Sequence, residues 1–539
     1  MPQAKKASPN APARPAKRII DVSVEDLPAM NADAWEAIRE QNNPPFIFTY
    51  GAGMVRARYD YHDDNLILDP MNVDIMRHEL SQLAHWRKAN NMITKPPTVL
   101  VKDILASRSI PLPRLIRTVT VPVFAPDGSL QTTPGYHDAS GVIYAPPRGY
   151  QSLPVPDKVA PSHVDEAKKL IEELIQDFPF AVDENGVSPD HDNAVALMLL
   201  PFVRDMIPGP TPLHLIEASM PGSGKGLLAS SLLYPALGDI TGAPQPENDA
   251  ELKKLLTAKI LACAPLIFLD NISRPVASGE LAAALTMKIW SDRILKESAT
   301  VDTEIRSIWL ITGNNVAMST EIARRTVRVR LTPQTDRPEE RNNFHHSDQI
   351  GWVTENRPQL VWAAHVLCLY AIQQKLPRQI PRAVGSYERW AKLLGSILEC
   401  AGYFNFLGNY KQLQTGSNTE REALALFVMT WYEWMEMQNG LNQAKGLPQK
   451  LTATSTELWE LAKNIEGLPI YGRTDDGRQK SFGKFLKARH EVIVEYVDED
   501  PNNPTGVYKF KILSRGLGKG SQRGAQTWGV ELLETLPKN

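Results

Sequence analysis

The middle of the chain alternates between two hydrophobic periods. Short apolar runs at residues 214–218, 265–269, 308–311 and 327–331 have the length and composition of buried strands. Between them, residues 226–233, 250–263 and 280–290 carry helical spacing. Just upstream, 164–178 is a strongly amphipathic helix pattern and 191–206 a largely apolar one. Strand and helix in alternation predict an α/β core around a buried sheet. In the last run Arg328 and Arg330 alternate with Val327, Val329 and Leu331, the pattern of a strand with one solvated face.

On either side the period changes. Residues 28–155 mix a helix starting at Asn31, short strands at 46–50 and 66–68, a helix over 73–90 that carries Trp86, and a β-rich stretch at 115–124 before the Asp127-Gly128 turn. Proline-rich 145–161 reads as a linker. Downstream, 356–374, 387–401 and the aromatic-rich 421–436 are helical. Two more helices, 452–464 and 481–490, precede strands at 492–497, 506–513 and 527–533, a winged-helix order. The expected organisation is a disordered basic tail over 1–27, an N-terminal α+β accessory domain over 28–160 and an α/β core over 161–345. A helical lid or linker over 346–440 and a winged-helix domain over 441–539 follow.

Composition narrows the class. Of 539 residues, 42% are hydrophobic and 22% charged, so the chain can bury a sizeable core. A net charge of −2 restricts any nucleic-acid surface to local patches. Cys263, Cys368 and Cys400 are scattered, which argues against a zinc ribbon or a disulfide framework and fits a reduced, cytoplasmic setting. The Ala-, Pro-, Lys- and Arg-rich start lacks the apolar segment of a secretory signal, and no run is long enough to span a bilayer, so no membrane partner is expected.

The candidate chemistry sits at the ends of the apolar runs. After the first comes Ser219-Met220-Pro221-Gly222-Ser223-Gly224-Lys225-Gly226-Leu227. Strand, glycine turn, lysine and helix is the context of a phosphate-cradling loop. Gly222 and Gly224 let backbone N–H groups approach phosphates, and the helix start adds partial positive charge. Lys225 can reach the β and γ phosphates; Pro221, Ser223, Gly226 and Leu227 complete the expected contact loop. Ser219 stands where the usual pattern has its first glycine, and Gly226 where it has a Mg²⁺-binding Ser or Thr. The second run ends in Asp270, a carboxylate for Mg²⁺. Asn271 occupies the place of a catalytic glutamate, which leaves Glu247 and Glu251 as candidates to polarise the attacking water. The third run ends in Thr312-Gly313-Asn314, an amide able to orient that water. Arg324 and Arg325 precede the fourth run, where a guanidinium can reach the γ-phosphate of a neighbouring subunit. Asp60, Asp63 and Asp64 read as a polar turn rather than a priming metal site. In the last helix Phe482, Phe485 and Leu486 can pack inward, leaving Lys484, Lys487 and Arg489 outward, with Arg515 and Lys519 in the wing. That is a footprint of phosphate contact on DNA. Acidic neighbours Glu491, Glu495 and Asp498 keep a protein-binding winged helix open.

In this order, SMPGSGKG, PLIFLDN, WLITGNN and EIARRTVRVRL resemble the P-loop AAA+ replicative helicases of bacterial phages and mobile elements, related to the superfamily 3, poxvirus primase-helicase-type and MCM-like groups. The resemblance covers about residues 195–410. It implies ATP and Mg²⁺ as cofactors, with Lys225 on the phosphates, Asp270 on the metal, Asn314 as sensor and Arg324, or secondarily Arg325, as the finger. It also implies a homo-oligomeric ring, a hexamer, that unwinds DNA by drawing a single strand through its pore. The family's pore hairpin maps onto Lys296 and its neighbours, although the tip, residues 298–303, carries no basic side chain. Two other functions stay open: a primase-helicase with an active accessory domain, and an ATP-gated DNA-binding initiator with little hydrolysis.

Overall fold

The sheet predicted by the alternating runs is present, and its strand order sets the site. In this computed structural model the hydrogen-bonded order is Ala243–Pro244, Leu266–Ile272, Ile308–Asn314, Leu213–Ala218, Thr326–Leu331. Every neighbouring pair is parallel. The structure describes residues 15–23, 26–51, 53–62, 65–107, 109–183, 185–293, 300–333, 337–375, 384–410, 419–465, 467–468, 470, 474–498, 506–517 and 525–536. They form two compact units, one ending at Tyr410 and one starting at Lys411.

In the first unit the strand Leu213–Ala218 is buried along its whole length. Helices Pro161–Ile175, Pro189–Val203 and Lys225–Leu237 share one core with it. Helices Arg357–Gln373 and Glu388–Cys400 join that same core through Leu360, Leu367, Trp390 and Leu394, so the segment expected as a lid is fused to the sheet's own packing. Local signals start these helices. Ser188 caps Pro189–Val203 by accepting from His191 N at 3.1 Å, with proline at the first position and Asp190 and Asp192 in the first turn.

Both buried acids are then used again. Asp190 Oδ1 accepts from Arg330 N and from Asn409 Nδ2, each at 2.7 Å, and Arg328 Nε lies 3.9 Å away. Burial pushes this carboxyl up to about 6, against the pull of Arg328. In the strand Thr326–Leu331, Val327, Val329 and Leu331 share the core with helix Pro189–Val203, while Arg328 on the other face is not solvated but sunk between Asp190 and Glu217.

Two further expectations fail for one reason, a tryptophan that continues a helical period past the helix. The helix expected over 73–90 stops at Leu83. Trp86 lies on a strand, Ala84–Arg87, and its Nε1 turns back to donate to Leu80 O at 2.8 Å. That strand pairs in parallel with Arg18–Asp21, which draws part of the expected tail into the fold. Likewise the helix expected over 280–290 ends at Ala284, and Trp290 sits on Ile289–Arg293, donating to Thr257 Oγ1 at 3.1 Å. This strand pairs antiparallel with Thr300–Glu304, so residues 300–303 of the expected hairpin tip lie within a strand instead.

The accessory segment has a four-stranded sheet ordered Leu66–Pro70, Gly53–Tyr59, Ile47–Tyr50, Arg114–Leu115. Three helices, Leu27–Gln41, Val73–Leu83 and Thr98–Leu105, supply a core with Ile20, Ile38, Leu80 and Ile104. The second unit holds the long helix Thr419–Ala444, then Ala453–Thr454, helices Ser455–Ala462 and Asp475–Lys487, and strands Ile493–Val497, Val507–Leu517 and Gln526–Leu536. Its sheet is antiparallel, with Ala453–Thr454 beside the last strand. Phe427, Val428 and Trp431 of the long helix pack with Trp459, Phe482 and Phe510. That helix, expected in the lid, thus belongs to this unit's core. Among the described residues no helix is long and apolar enough to cross a membrane.

Candidate nucleotide site

The C-terminal edge of a parallel sheet is where ligands settle, beside the strand at which the connections reverse direction. Here Leu213–Ala218 is that strand, and the candidate residues gather at its end. The turn after Ala218 needs left-handed glycines: Gly222 has φ 71° and Gly224 φ 81°, and Gly224 caps helix Lys225–Leu237. Lys225, only 9% exposed, donates from Nζ to Asn314 Oδ1 at 2.6 Å and to Met220 O at 3.1 Å. Burial lowers its pKa while the charge of Asp270 works against that shift. Ser223 Oγ donates to Met220 O at 2.5 Å, which closes the turn on itself.

Between Leu269 and Ile272 the acid strand slips register against the sensor strand: Leu269 faces Ile311 and Ile272 faces Gly313. Asp270 and Asn271 together oppose Thr312, a β-bulge. Thr312 Oγ1 serves both, donating to Asp270 Oδ1 and accepting from Asn271 N at 2.9 Å. Asn271 sits at φ 54°, a left-handed conformation that asparagine tolerates better than glutamate. The bulge aims Asp270 out of the strand, where it is exposed. A carboxylate and a hydroxyl are hard oxygen donors of the kind that Mg²⁺ takes alongside phosphate and water. Gly226 adds no donor, but a Cβ built there meets nothing within 4 Å.

Beside the turn lies a cleft of about 770 Å³, lined by Gly222, Ser223, Gly224 and Leu227 on one side and by Phe178, Pro179, Pro333, Phe344 and Ile350 on the other. Its size is that of a small-molecule site, and the wall opposite the glycines mixes these apolar residues with Asp177, Arg341, Asn343 and Asp348. The Phe178 ring is 3.5 Å from where a Gly224 Cβ would stand. Arg341 Nη1 donates to Asp177 O at 2.6 Å and holds the far wall. Phe178, Phe344 and Ile350 went unnoticed in the sequence, since no local spacing relates them to residue 224.

Other candidates fall elsewhere. Arg324 and Arg325 lie at the opposite edge of the sheet: Leu213 N, at the start of its strand, donates to Arg325 O at 2.9 Å. A six-residue strand separates them from the phosphate turn by about 20 Å. Arg324 is exposed and paired with Glu321 at 2.6 Å, while Arg325 is mostly buried and donates to Glu321 O at 2.7 Å. Glu251 turns to Lys254 at 2.7 Å, and the Glu247 carbonyl accepts from Arg274. Asp60 accepts from His62 N in its turn; Asp63, Asp64, Lys296 and Lys519 lie outside the described residues. In helix Asp475–Lys487, Phe482, Phe485 and Leu486 are buried and Lys484 and Lys487 exposed. Arg489 is not turned outward: its guanidinium covers the Phe485 ring at 3.8 Å. Arg515 is exposed.

No protein-family model and no curated protein matches the chain. Among solved structures, the apo C-terminal region of NrS-1 aligns at 10% identity and TM-score 0.35, over 88% of this chain and 96% of that one. An active helicase, SCCmec type IV Cch, aligns at 9% identity and TM-score 0.35, over 86% and 92%. Likenesses of this size carry no inference about activity.

Proposed function

We propose that the chain is an ATP-hydrolysing, oligomeric DNA helicase. One observation carries the reading: Lys225, Asp270, Thr312 and Asn314 meet beside a glycine turn at one edge of a parallel sheet, next to a nucleotide-sized cleft. Mg²⁺, held by Asp270, would neutralise charge on the transferring phosphoryl group. Lys225 is already positioned by Asn314 and exchanges that contact for the β and γ phosphates. The Asn314 amide is then released to orient the attacking water. Arg324 cannot serve its own site across the sheet, so it acts on a neighbouring subunit's, which makes the active species an oligomer, in our reading a ring. Exposed Lys484 and Lys487 are the DNA contacts of the C-terminal unit, as a winged helix would use them.

Asn271 and Gly226 favour a second reading, an ATP-gated DNA-binding initiator that turns over slowly. Priming is the weaker alternative, because Asp69 of the accessory sheet is bound to Arg56 and Arg58, and Glu79 of helix Val73–Leu83 to Arg56, at 2.6–2.7 Å. Steady-state ATPase with and without single-stranded DNA decides. For the helicase, DNA stimulates turnover, Lys225→Ala and Arg324→Ala each lose about 10²-fold or more, and mixing the two variants restores part of it. A wild-type chain that binds ATP and hydrolyses none under any DNA condition is the initiator.

A further inference from the structure

Glu173, His345 and His346 converge at the wall of the cleft, one ligand atom of each within 4.8 Å of the others. We propose that they bind a divalent transition-metal cation of the zinc type. Glu173 comes from the last turn of helix Pro161–Ile175, and the two histidines from the segment that leads into helix Gln349–Glu355. Nε2 of His346 lies 3.4 Å, and Nε2 of His345 3.9 Å, from the same oxygen, Glu173 Oε1. Ligand atoms each about 2.05 Å from a tetrahedral zinc stand about 3.3 Å apart. The His346 edge therefore already has the required length. His345 needs to close by about 0.6 Å on the Glu173 edge and to approach His346 from within 4.8 Å, and its side chain, 57% exposed, has room to turn.

The separation alone could be that of a loose ion pair. A second observation points to an ion. Nε2 of His346 is buried and makes no hydrogen bond among the described residues, although a carboxylate oxygen faces it. A buried ring nitrogen aimed at a carboxylate without bonding it is the arrangement that a shared cation completes.

The histidines are also held in advance. Asp177 Oδ2 accepts from His345 N at 2.7 Å and from His346 N at 3.3 Å. The His346 ring stacks on Trp352, centroids 4.2 Å apart at 18°. The backbone of both histidines and the ring of His346 are thus placed before binding, so His346 loses little freedom. Two imidazoles and a carboxylate select zinc-type ions over Mg²⁺ or Ca²⁺, which take oxygen, so this site is distinct in chemistry from Asp270. Three protein ligands leave one position for water. Bound there, the cation ties the segment carrying Phe344 and Arg341 to helix Pro161–Ile175 and fixes one wall of the cleft. The binding itself depends on no nucleotide, so it stands or falls apart from the proposed ATPase.

The test uses the full chain without an affinity tag, stripped with chelator and titrated with Zn²⁺ against a chromophoric competitor. Co²⁺ in its place reports geometry. Expected are one ion per chain at micromolar affinity, visible d–d absorption of tetrahedral Co²⁺, and a loss of at least about tenfold in affinity for Glu173→Gln and for His345→Gln. Both residues are partly exposed, 38% and 57%, and unchanged melting of each variant in chelator separates lost ligation from lost folding. The proposal is overturned if the wild type takes up no ion at micromolar concentration. It is equally overturned if both variants bind as tightly as the wild type, which would place the ion elsewhere, or if Co²⁺ shows only weak octahedral bands.

Discussion

Asn271 has a backbone reason to be asparagine. At φ 54° in the bulge a glutamate would cost roughly 1–2 kcal/mol, while glycine is at ease there. Asn271→Glu is therefore expected to lower stability by about 1 kcal/mol, and Asn271→Gly to leave it nearly unchanged; denaturant melts of the two variants check this. Gly226 is different, since its surroundings are open. Gly226→Thr removes a helix glycine and adds a hydroxyl where Mg²⁺ is usually held, so the Mg²⁺ concentration for half-maximal ATPase should fall severalfold. Gly313 is a steric case: a Cβ there would stand 2.8 Å from Ile272 O, so Gly313→Ala should cost about 1–3 kcal/mol, read by thermal melting, and shift Asn314 with it. At this scale the sequence is legible where a side chain's place follows from a fixed offset to a strand end, as for Lys225, Asp270 and Asn314. It is silent where side chains meet only through the fold, as Phe178 and Phe344 do, or Glu173 and His346.

Among elements, the sheet strands were readable because burial on both faces leaves unbroken apolar runs. The overruns at 73–90 and 280–290 arose because a tryptophan after the helix keeps the apolar spacing while the backbone turns extended. Arg328 departs from its pattern for a related reason: alternation marks two faces but does not say that two acids, Asp190 and Glu217, will draw a charge inward. That helix start also carries a pH dependence. His191 lies 3.0 Å from Glu172 and 3.1 Å from Asp192. Burial alone would lower its pKa, yet hydrogen bonds to Asp192 and Glu172 outweigh burial and raise it to about 9. The folded value exceeds the unfolded one of about 6.5, so this stabilisation is complete below about pH 6.5 and fades as pH rises through about 9. Its size is of order 3 kcal/mol. His191→Gln should accordingly be less stable than wild type at pH 6 and nearly equal to it at pH 10, as measured by denaturant midpoints.

For the whole molecule, each unit has its own core, and the proposed ATPase parts lie within the first. On the proposed function, the oligomer is the level at which the sites become complete. Light scattering should show larger species when ATP is added to wild type, and fewer of them for Arg324→Ala. If Arg324 acts in trans as proposed, the same placement, Lys225 at one edge of a parallel sheet and Arg324 at the other, also ties catalytic rate to copy number, since one chain then carries two half-sites and no whole one. On the proposed reading, specific activity falls on dilution and rises steeply once neighbours meet, so a cell with few copies spends almost no ATP, and local crowding, rather than a dedicated inhibitor, turns the activity on.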